Sequence, residues 1–277
     1  MNKQDIEKQE EQGLIALVDQ SGVELAIDKL IGKNNSLLPS NVAVERIKNS
    51  AGFYISNRED LMALPSKEKL NMLYGVLKEA MVGCEAGVDY DIVPFKAKAT
   101  IIRNKNGWFK VLDMIKPAEI VRFTSNVILK DDKYKFNPVT EELVHEMITT
   151  SDKYEDIVAS YAYIKFANGF EKTVFLTKKD LDAIKKVSPS ASSSYSPWTT
   201  QPMKMVKTKT VKELAKELFT LFSGRVNSVL ARAIESDETA INKVDSKGYI
   251  VEDSSVYEIK NIETQPVEEK EVNITEL

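Results

Sequence analysis

Lysines between Pro202 and Phe222 are the residues whose type and spacing most directly suggest chemistry. Read as a helix from Pro202, the second half of this stretch has apolar residues at helical spacing, at Val211, Leu214, Ala215, Leu218 and Phe222. Towards the N-terminus, the same face of the helix carries Lys204 and Lys207 instead of apolar residues. The adjoining flank carries Lys209, Lys212 and Lys216. An unpaired buried cation is costly. The pattern therefore predicts either a basic wall that binds phosphates or a solvated helix read one residue out of register.

A second group of cations follows a predicted strand, Ile92 to Ile102. Its residues alternate between an apolar side (Phe95, Ala97, Ala99, Ile101) and a polar side (Lys96, Lys98, Thr100). Residues 104–107 have the composition of a turn, and Trp108 begins a predicted return element. Further cations stand at Arg103, Lys105, Lys110, Lys116 and Arg122. Cations among aromatic rings are typical of single-stranded nucleic-acid binding, although solubility would also explain the lysines, and Trp108 could equally be core.

Length, composition and charge distribution limit the classes of protein to which this sequence can belong. The chain has 277 residues, of which 43% are hydrophobic, enough for one large or two small domains. No apolar run is long enough to span a membrane, the N-terminus lacks the apolar run of a signal peptide, and the single cysteine, Cys84, is consistent with a reducing cytoplasm. The net charge of −4 is uneven. Residues 252–277 hold eight acidic residues and two lysines, a net charge of −6, which leaves +2 for residues 1–251.

The elements that must position these cations are helices first and hairpins second. Helical patterns cover residues 14–31, 39–48 and 66–81, with Ser66 as a predicted N-cap. Two hairpins are predicted, over 127–136 and 158–176, and Thr177 with Asp180 forms a capping box for a helix through Val187. The Ser-rich loop 188–196 leads to Pro197, Trp198 and the basic helix. We therefore predict an α+β fold: an antiparallel sheet of hairpins packed against helices, a long basic helix after the sheet, and an acidic, disordered tail.

Enzymatic alternatives have less support. The sequence has no G-x-x-x-x-G-K-[ST] motif, which argues against an ATP-driven recombinase of the RecA type. His145 is the only histidine of the sequence and Cys84 the only cysteine, which argues against a zinc ribbon. We interpret His145 as a structural residue. Glu85, Asp89 and Asp91 could hold magnesium in a nuclease, although an Asp-x-Asp at the start of a strand more often marks a turn. A passive single-strand-binding protein is a third hypothesis.

Several short motifs, in order, resemble those of the RecT family of phage single-strand annealing proteins. They cover about residues 38–240 and comprise Gly83-Cys84-Glu85-Ala86-Gly87, Ile92-Val93-Pro94-Phe95, Leu143-Val144-His145, Tyr161-Ala162-Tyr163, Gly169-Phe170-Glu171, Pro197-Trp198 and Met205 to Val211. Two positions depart from the family pattern. The usual Gly-Tyr-Arg-Gly is Arg103 to Trp108 here, and the paired arginines of the basic helix are Lys212-Glu213.

The resemblance implies a recombinase that binds single-stranded DNA and anneals it to a complementary strand without ATP, another cofactor or a catalytic site. It implies rings or helical filaments, a cytoplasmic location, and a phage exonuclease and a host single-strand-binding protein as further partners. We expect an N-terminal helical segment at 1–37, a DNA-binding core at 38–225, and a C-terminal helix and acidic tail at 226–277. The expected DNA-binding residues are Lys96, Lys98, Arg103, Lys105, Lys110, Trp198, Lys204, Lys207, Lys209 and Lys212.

Overall fold

Helices form the first third of the chain, as their apolar spacing predicts. The computed structural model describes residues 9, 12–18, 22–38, 40, 43–95, 98–188, 191, 194, 196–222, 243–244 and 250–251. Residues 12–18 are helical, and Gly22, with a φ of 93°, precedes a new helix, so the single helix predicted over 14–31 is wrong. The next helices are α1 (Val23–Lys33), α2 (Val44–Ser56), α3 (Glu59–Met62) and α4 (Ser66–Met81). Helix α4 begins at Ser66 itself and has no side-chain cap, so the N-cap predicted at Ser66 is wrong by one position. Helix α2 also begins later than predicted.

The rest of the chain contains a hairpin, a helix, five successive strands, three successive helices and two short strands. The strands are β1 (Tyr90–Phe95), β2 (Lys98–Arg103), β3 (Ile120–Leu129), β4 (Lys133–Asn137), β5 (Glu142–Glu146), β6 (Ile157–Phe166), β7 (Glu171–Thr177), β8 (Lys243–Val244) and β9 (Ile250–Val251). The helices are α5 (Lys105–Ile115), α6 (Lys178–Val187), α7 (Pro197–Thr200) and α8 (Pro202–Phe222). The pairs formed by these described strands are all antiparallel. The fold is α+β, as predicted.

A three-stranded sheet in the order β3-β6-β7 positions the long helix α8. Alternate residues of β6, including Ala162 and Ile164, face α8 and are fully buried with Leu214 of that helix in the main core. The Ser160 and Thr210 hydroxyls hydrogen-bond across this interface at 2.6 Å. The same core includes α1, α4 and α5. The residues of α1 therefore share a core with those of α8, and the domain boundary at residue 37 stays a prediction.

The strand predicted over Ile92 to Ile102 is wrong. It is a hairpin, in which Phe95 pairs with Lys98 and Tyr90 with Arg103. The turn between β1 and β2 contains no glycine, proline or asparagine, so the sequence has no turn signal there. The predicted turn at 104–107 is instead the start of α5.

The hairpin predicted over 127–136 is also wrong, whereas the second predicted hairpin is confirmed. Strand β3 pairs with β6, and β4 pairs with β5 in a separate sheet. Strands β6 and β7 pair across a turn at Gly169, whose φ of 86° suits glycine. The capping box of Thr177 and Asp180 is present at the start of α6, which ends at Val187 as predicted. The helical segment at 226–234 and the acidic tail lie outside the described residues.

Candidate nucleic-acid interface

The start of helix α5 presents Lys105 on a defined backbone. The Asn104 side chain caps the helix by accepting hydrogen bonds from the N–H groups of Asn106 (2.8 Å) and Gly107 (3.2 Å). Its amide also donates to the Val88 carbonyl at 2.7 Å. A Cβ at position 107 would clash with the Asp89 carbonyl oxygen, so only glycine permits this close approach. The cap therefore attaches Lys105, the first residue of α5, to the loop before β1.

Helix α5 packs against helix α8, which brings Lys105 within electrostatic range of Lys207. Burial, and then the positive charge of Lys105, lower the pKa of Lys207 below its usual value. The Lys105 ammonium lies 5.5 Å from the centroid of the Phe123 ring, which is 5.0 Å from that of Phe109. In the described part of the chain, neither lysine forms an ion pair. We call Lys105, Phe109, Phe123 and Lys207 the basic–aromatic surface.

Two other predicted contacts are exposed. Lys204 lies one helical turn before Lys207, on the same side of α8. Lys98 is exposed at the start of β2, at the tip of the β1–β2 hairpin. Both remain proposed phosphate contacts, whereas Lys96 lies outside the described residues.

Arg103 is buried, which corrects its assignment to a DNA groove. Its side chain is 1% exposed, and its Nε lies 2.7 Å from a carboxylate oxygen of Glu79, itself buried in α4. The guanidinium also lies 5.1 Å from the centroid of the Trp108 ring, and the Lys212 ammonium approaches the same ring at 5.9 Å. Trp108 is therefore a core residue between two cations, as the alternative interpretation allowed.

Lys110 also has carboxylate partners within the protein. Its ammonium lies 2.6 Å from Asp89 and 3.4 Å from Glu85, and it donates to the Gly83 carbonyl at 2.8 Å. Arg46 makes a second ion pair with Glu85 at 2.8 Å. These contacts hold the loop between α4 and β1 against α5. They leave Lys110 with little freedom to bind a phosphate.

Two of the three carboxylates considered for a nuclease, Glu85 and Asp89, are therefore held by cations of the fold. Asp91, the third of them, is exposed on β1, where it accepts a long 3.4 Å hydrogen bond from the Tyr54 hydroxyl. Within the described ranges, no three acidic, histidine or cysteine side chains are grouped in a way that could hold a metal ion.

Three further predicted contacts are buried and leave the proposed interface. Trp198 is 1% exposed in a second core, with its ring 5.9 Å from that of Tyr154, so it cannot stack on a base. Lys209 and Lys212 are 4% and 9% exposed. The reason is that α8 packs against the sheet on one side and α5 on another, so its buried arc is wider than one apolar stripe.

His145 is hydrogen-bonded within the fold, as its structural interpretation predicts. Its Nε2 lies 3.0 Å from an Asp132 oxygen and its Nδ1 3.3 Å from the Tyr161 hydroxyl. Burial acts to raise the pKa of Asp132, but the N–H groups of Ile148 and Leu129 and the His145 ring donate to its carboxylate and lower the pKa to about 2. This network attaches the β4–β5 hairpin to the central sheet.

A groove that sequence reasoning missed lies between this hairpin and the face of the central sheet opposite α8. It has a volume of about 780 Å³ and is lined by Arg122, Thr124, Tyr161, Tyr163, Glu171 and others. The exposed Arg122 guanidinium lies 5.9 Å from the centroid of the Tyr163 ring. The alternation of β3 and β6 could have indicated this face, but only strand pairing brings Arg122 and Tyr163 together.

These features define a class: an α+β protein in which unpaired cations and aromatic rings from separate segments share one surface, as in proteins that bind single strands of nucleic acid. The RecT family model matches residues 91–251, more than half of the chain, and the protein belongs to the RecT family. That family comprises DNA-binding single-strand annealing proteins of recombination. No curated protein matches the chain. None of the described helices is long and apolar enough to cross a membrane.

Proposed function

We propose that this protein binds one DNA strand through its phosphates and anneals it to a complementary strand without ATP. The approach of Lys105 to Lys207, neither of them in an ion pair with a described residue, supports this proposal most directly. Two like charges in a partly buried position destabilise each other, and a phosphate between them would relieve the repulsion. Lys204 and Lys98 would extend the contact along the strand.

Phosphate binding leaves the bases free, which annealing requires. Contacts to phosphates carry no sequence information, so affinity would be electrostatic and nearly independent of sequence. The half-buried rings of Phe109 and Phe123 lie beside the lysines and would contact a sugar or base edge. Annealing needs no chemical energy, because each base-pair step contributes about 1.4 kcal/mol of stacking.

Assembly and partners also remain proposals. We expect rings or helical filaments, because repeated subunits would make each weak phosphate contact count many times along one strand. A phage exonuclease and a host single-strand-binding protein are the expected protein partners. A cytoplasmic location is likewise a proposal, supported by the single cysteine.

The decisive test mixes two complementary oligonucleotides, one with a donor dye and one with an acceptor, with and without the full-length protein and without nucleotide. Accelerated pairing that Lys105→Ala and Lys207→Ala reduce would support the proposal. Protection without acceleration would indicate a passive binder. Release of labelled fragments in magnesium would indicate the nuclease.

A further inference from the structure

A second cation–aromatic pair lies on the opposite face of the same strand. Consecutive residues of a strand point to opposite faces of its sheet, so Phe123 joins the basic–aromatic surface while Arg122 lines the groove. Arg122 pairs with Lys165, and Thr124 with Tyr163, which places their side chains on the groove face. The Arg122 guanidinium has no carboxylate partner among the described residues, and it lies 5.9 Å from the centroid of the Tyr163 ring.

Strand β3 separates these two surfaces at an exposed edge. In the order β3-β6-β7, β3 is an outer strand of its sheet. Its pairing shifts between Ile120 and Arg122, which leaves Val121 as an extra, unpaired residue that is 64% exposed. Such bulges redirect neighbouring side chains and are frequent beside functional sites. An exposed apolar residue therefore directly precedes Arg122 on this edge of the sheet.

Two carboxylates that line the groove are already engaged: Glu171 accepts a hydrogen bond from the Tyr163 hydroxyl at 2.6 Å and lies 3.5 Å from the Lys165 ammonium, and Glu141 forms an ion pair with Lys172. Neither is an ion-pair partner of Arg122, whose charge stays available to a phosphate.

We propose that Arg122 and Tyr163 bind the second, incoming DNA strand while Lys105 and Lys207 hold the first, with the edge of β3 between the two. This inference rests on the proposed annealing function and deepens it. Arg122 would bind a phosphate and the Tyr163 ring would contact a base or sugar of the incoming strand. Val121 would lie where the two strands meet, before pairing closes the gap between them.

The test separates first-strand binding from second-strand capture in the full-length protein. First-strand affinity is measured by fluorescence anisotropy of one labelled oligonucleotide. The capture rate is measured by stopped-flow energy transfer after the complementary oligonucleotide is added to the preformed complex. For Arg122→Ala we expect first-strand affinity within about twofold of wild type and a capture rate about tenfold lower, since one charge-assisted contact is lost.

Conservative and matched variants complete the design. Arg122→Lys should retain most of the capture rate because it keeps the charge, and Tyr163→Phe should retain more than Tyr163→Leu because it keeps the ring. Lys186→Ala, which removes an exposed lysine of α6, controls for net charge and should change neither quantity. Circular dichroism checks that each variant is folded.

Two results would overturn the inference. Equal losses of first-strand affinity and capture rate in Arg122→Ala would place Arg122 on the first-strand surface. No loss of either would assign the groove to something other than DNA, such as a basic peptide that its carboxylates attract. Neither result touches the proposed function, which fails separately if Lys105→Ala and Lys207→Ala leave first-strand binding and annealing unchanged.

Discussion

Replacing Lys105 and Lys207 by alanine, singly and together, tests the basic–aromatic surface most directly. Each single change removes one expected phosphate contact, so the slope of log affinity against log salt should become shallower by about 0.7 on single strands, and by about 1.4 in the double variant. Near physiological salt, the loss of one charge-assisted contact should weaken binding about tenfold. The double loss should be less than the product of the single losses, because each single variant also removes the repulsion between the two lysines.

The pH dependence gives an independent readout. The pKa of Lys207 is lowered in the free protein by burial and by Lys105, and a bound phosphate would raise it. Binding should therefore take up a proton at alkaline pH, and affinity should fall as pH rises through the lowered pKa. Lys105→Ala removes one of the two causes that lower the pKa of Lys207, so the fall in DNA affinity should occur at higher pH. The shift is measured by fluorescence anisotropy across a pH series, with a dye whose emission does not change with pH.

The matched control is Lys186→Ala, which lowers the net charge equally on an exposed part of α6. It should leave affinity, salt slope and pH dependence as in the wild type. If Lys105→Ala and Lys207→Ala are folded and their salt slopes match that of Lys186→Ala, phosphates do not bind between these lysines and our reasoning about the surface is refuted.

Three further predictions concern the scaffold and the tail. Glu79→Ala should cost about 3 kcal/mol in urea unfolding, because it removes a carboxylate partner of the buried Arg103; a loss below about 1 kcal/mol would show that the pair contributes little. Gly107→Ala should lower stability by about 2 kcal/mol through its clash with the Asp89 carbonyl, and an unchanged midpoint would contradict the close packing of α5. Deleting residues 252–277 should raise non-specific DNA affinity if the tail, with its net charge of −6, competes with DNA; unchanged anisotropy would instead favour partner docking or solubility.

Local patterns predicted the elements whose signals lie within a few residues. The β6–β7 hairpin, the capping box of Thr177 and the start of α8 at Pro202 were all predicted because turn residues, a cap and an apolar period mark them. The β1–β2 hairpin was missed because its turn lacks such residues. The start of α5 was mistaken for a turn because asparagine and glycine suit an N-cap as well as a turn.

The cations of the candidate site also separate what local sequence patterns predict from what they do not. The sequence indicated that Lys105, Arg103 and Lys110 are cations near aromatic residues and that Lys207 lies on a basic helix, but their roles depend on partners distant in the chain. Arg103 reaches Glu79, 24 residues earlier, and Lys110 reaches Asp89, so neither is available in the way its neighbours suggested. Whether a lysine faces solvent, a carboxylate or another lysine is set by helix packing, which no local pattern records.

The sequence by itself determined the α+β class, the long helix at 202–222 with its mixture of apolar and cationic residues, and the family to which the chain belongs. Only the tertiary structure decided which cations are buried in ion pairs and which remain for a ligand. It brought Lys105 beside Lys207 and placed Arg122 on the opposite face of β3. The physical reason is that side-chain spacing is encoded along the chain, whereas the counter-charge of each cation is contributed by residues that only folding brings near.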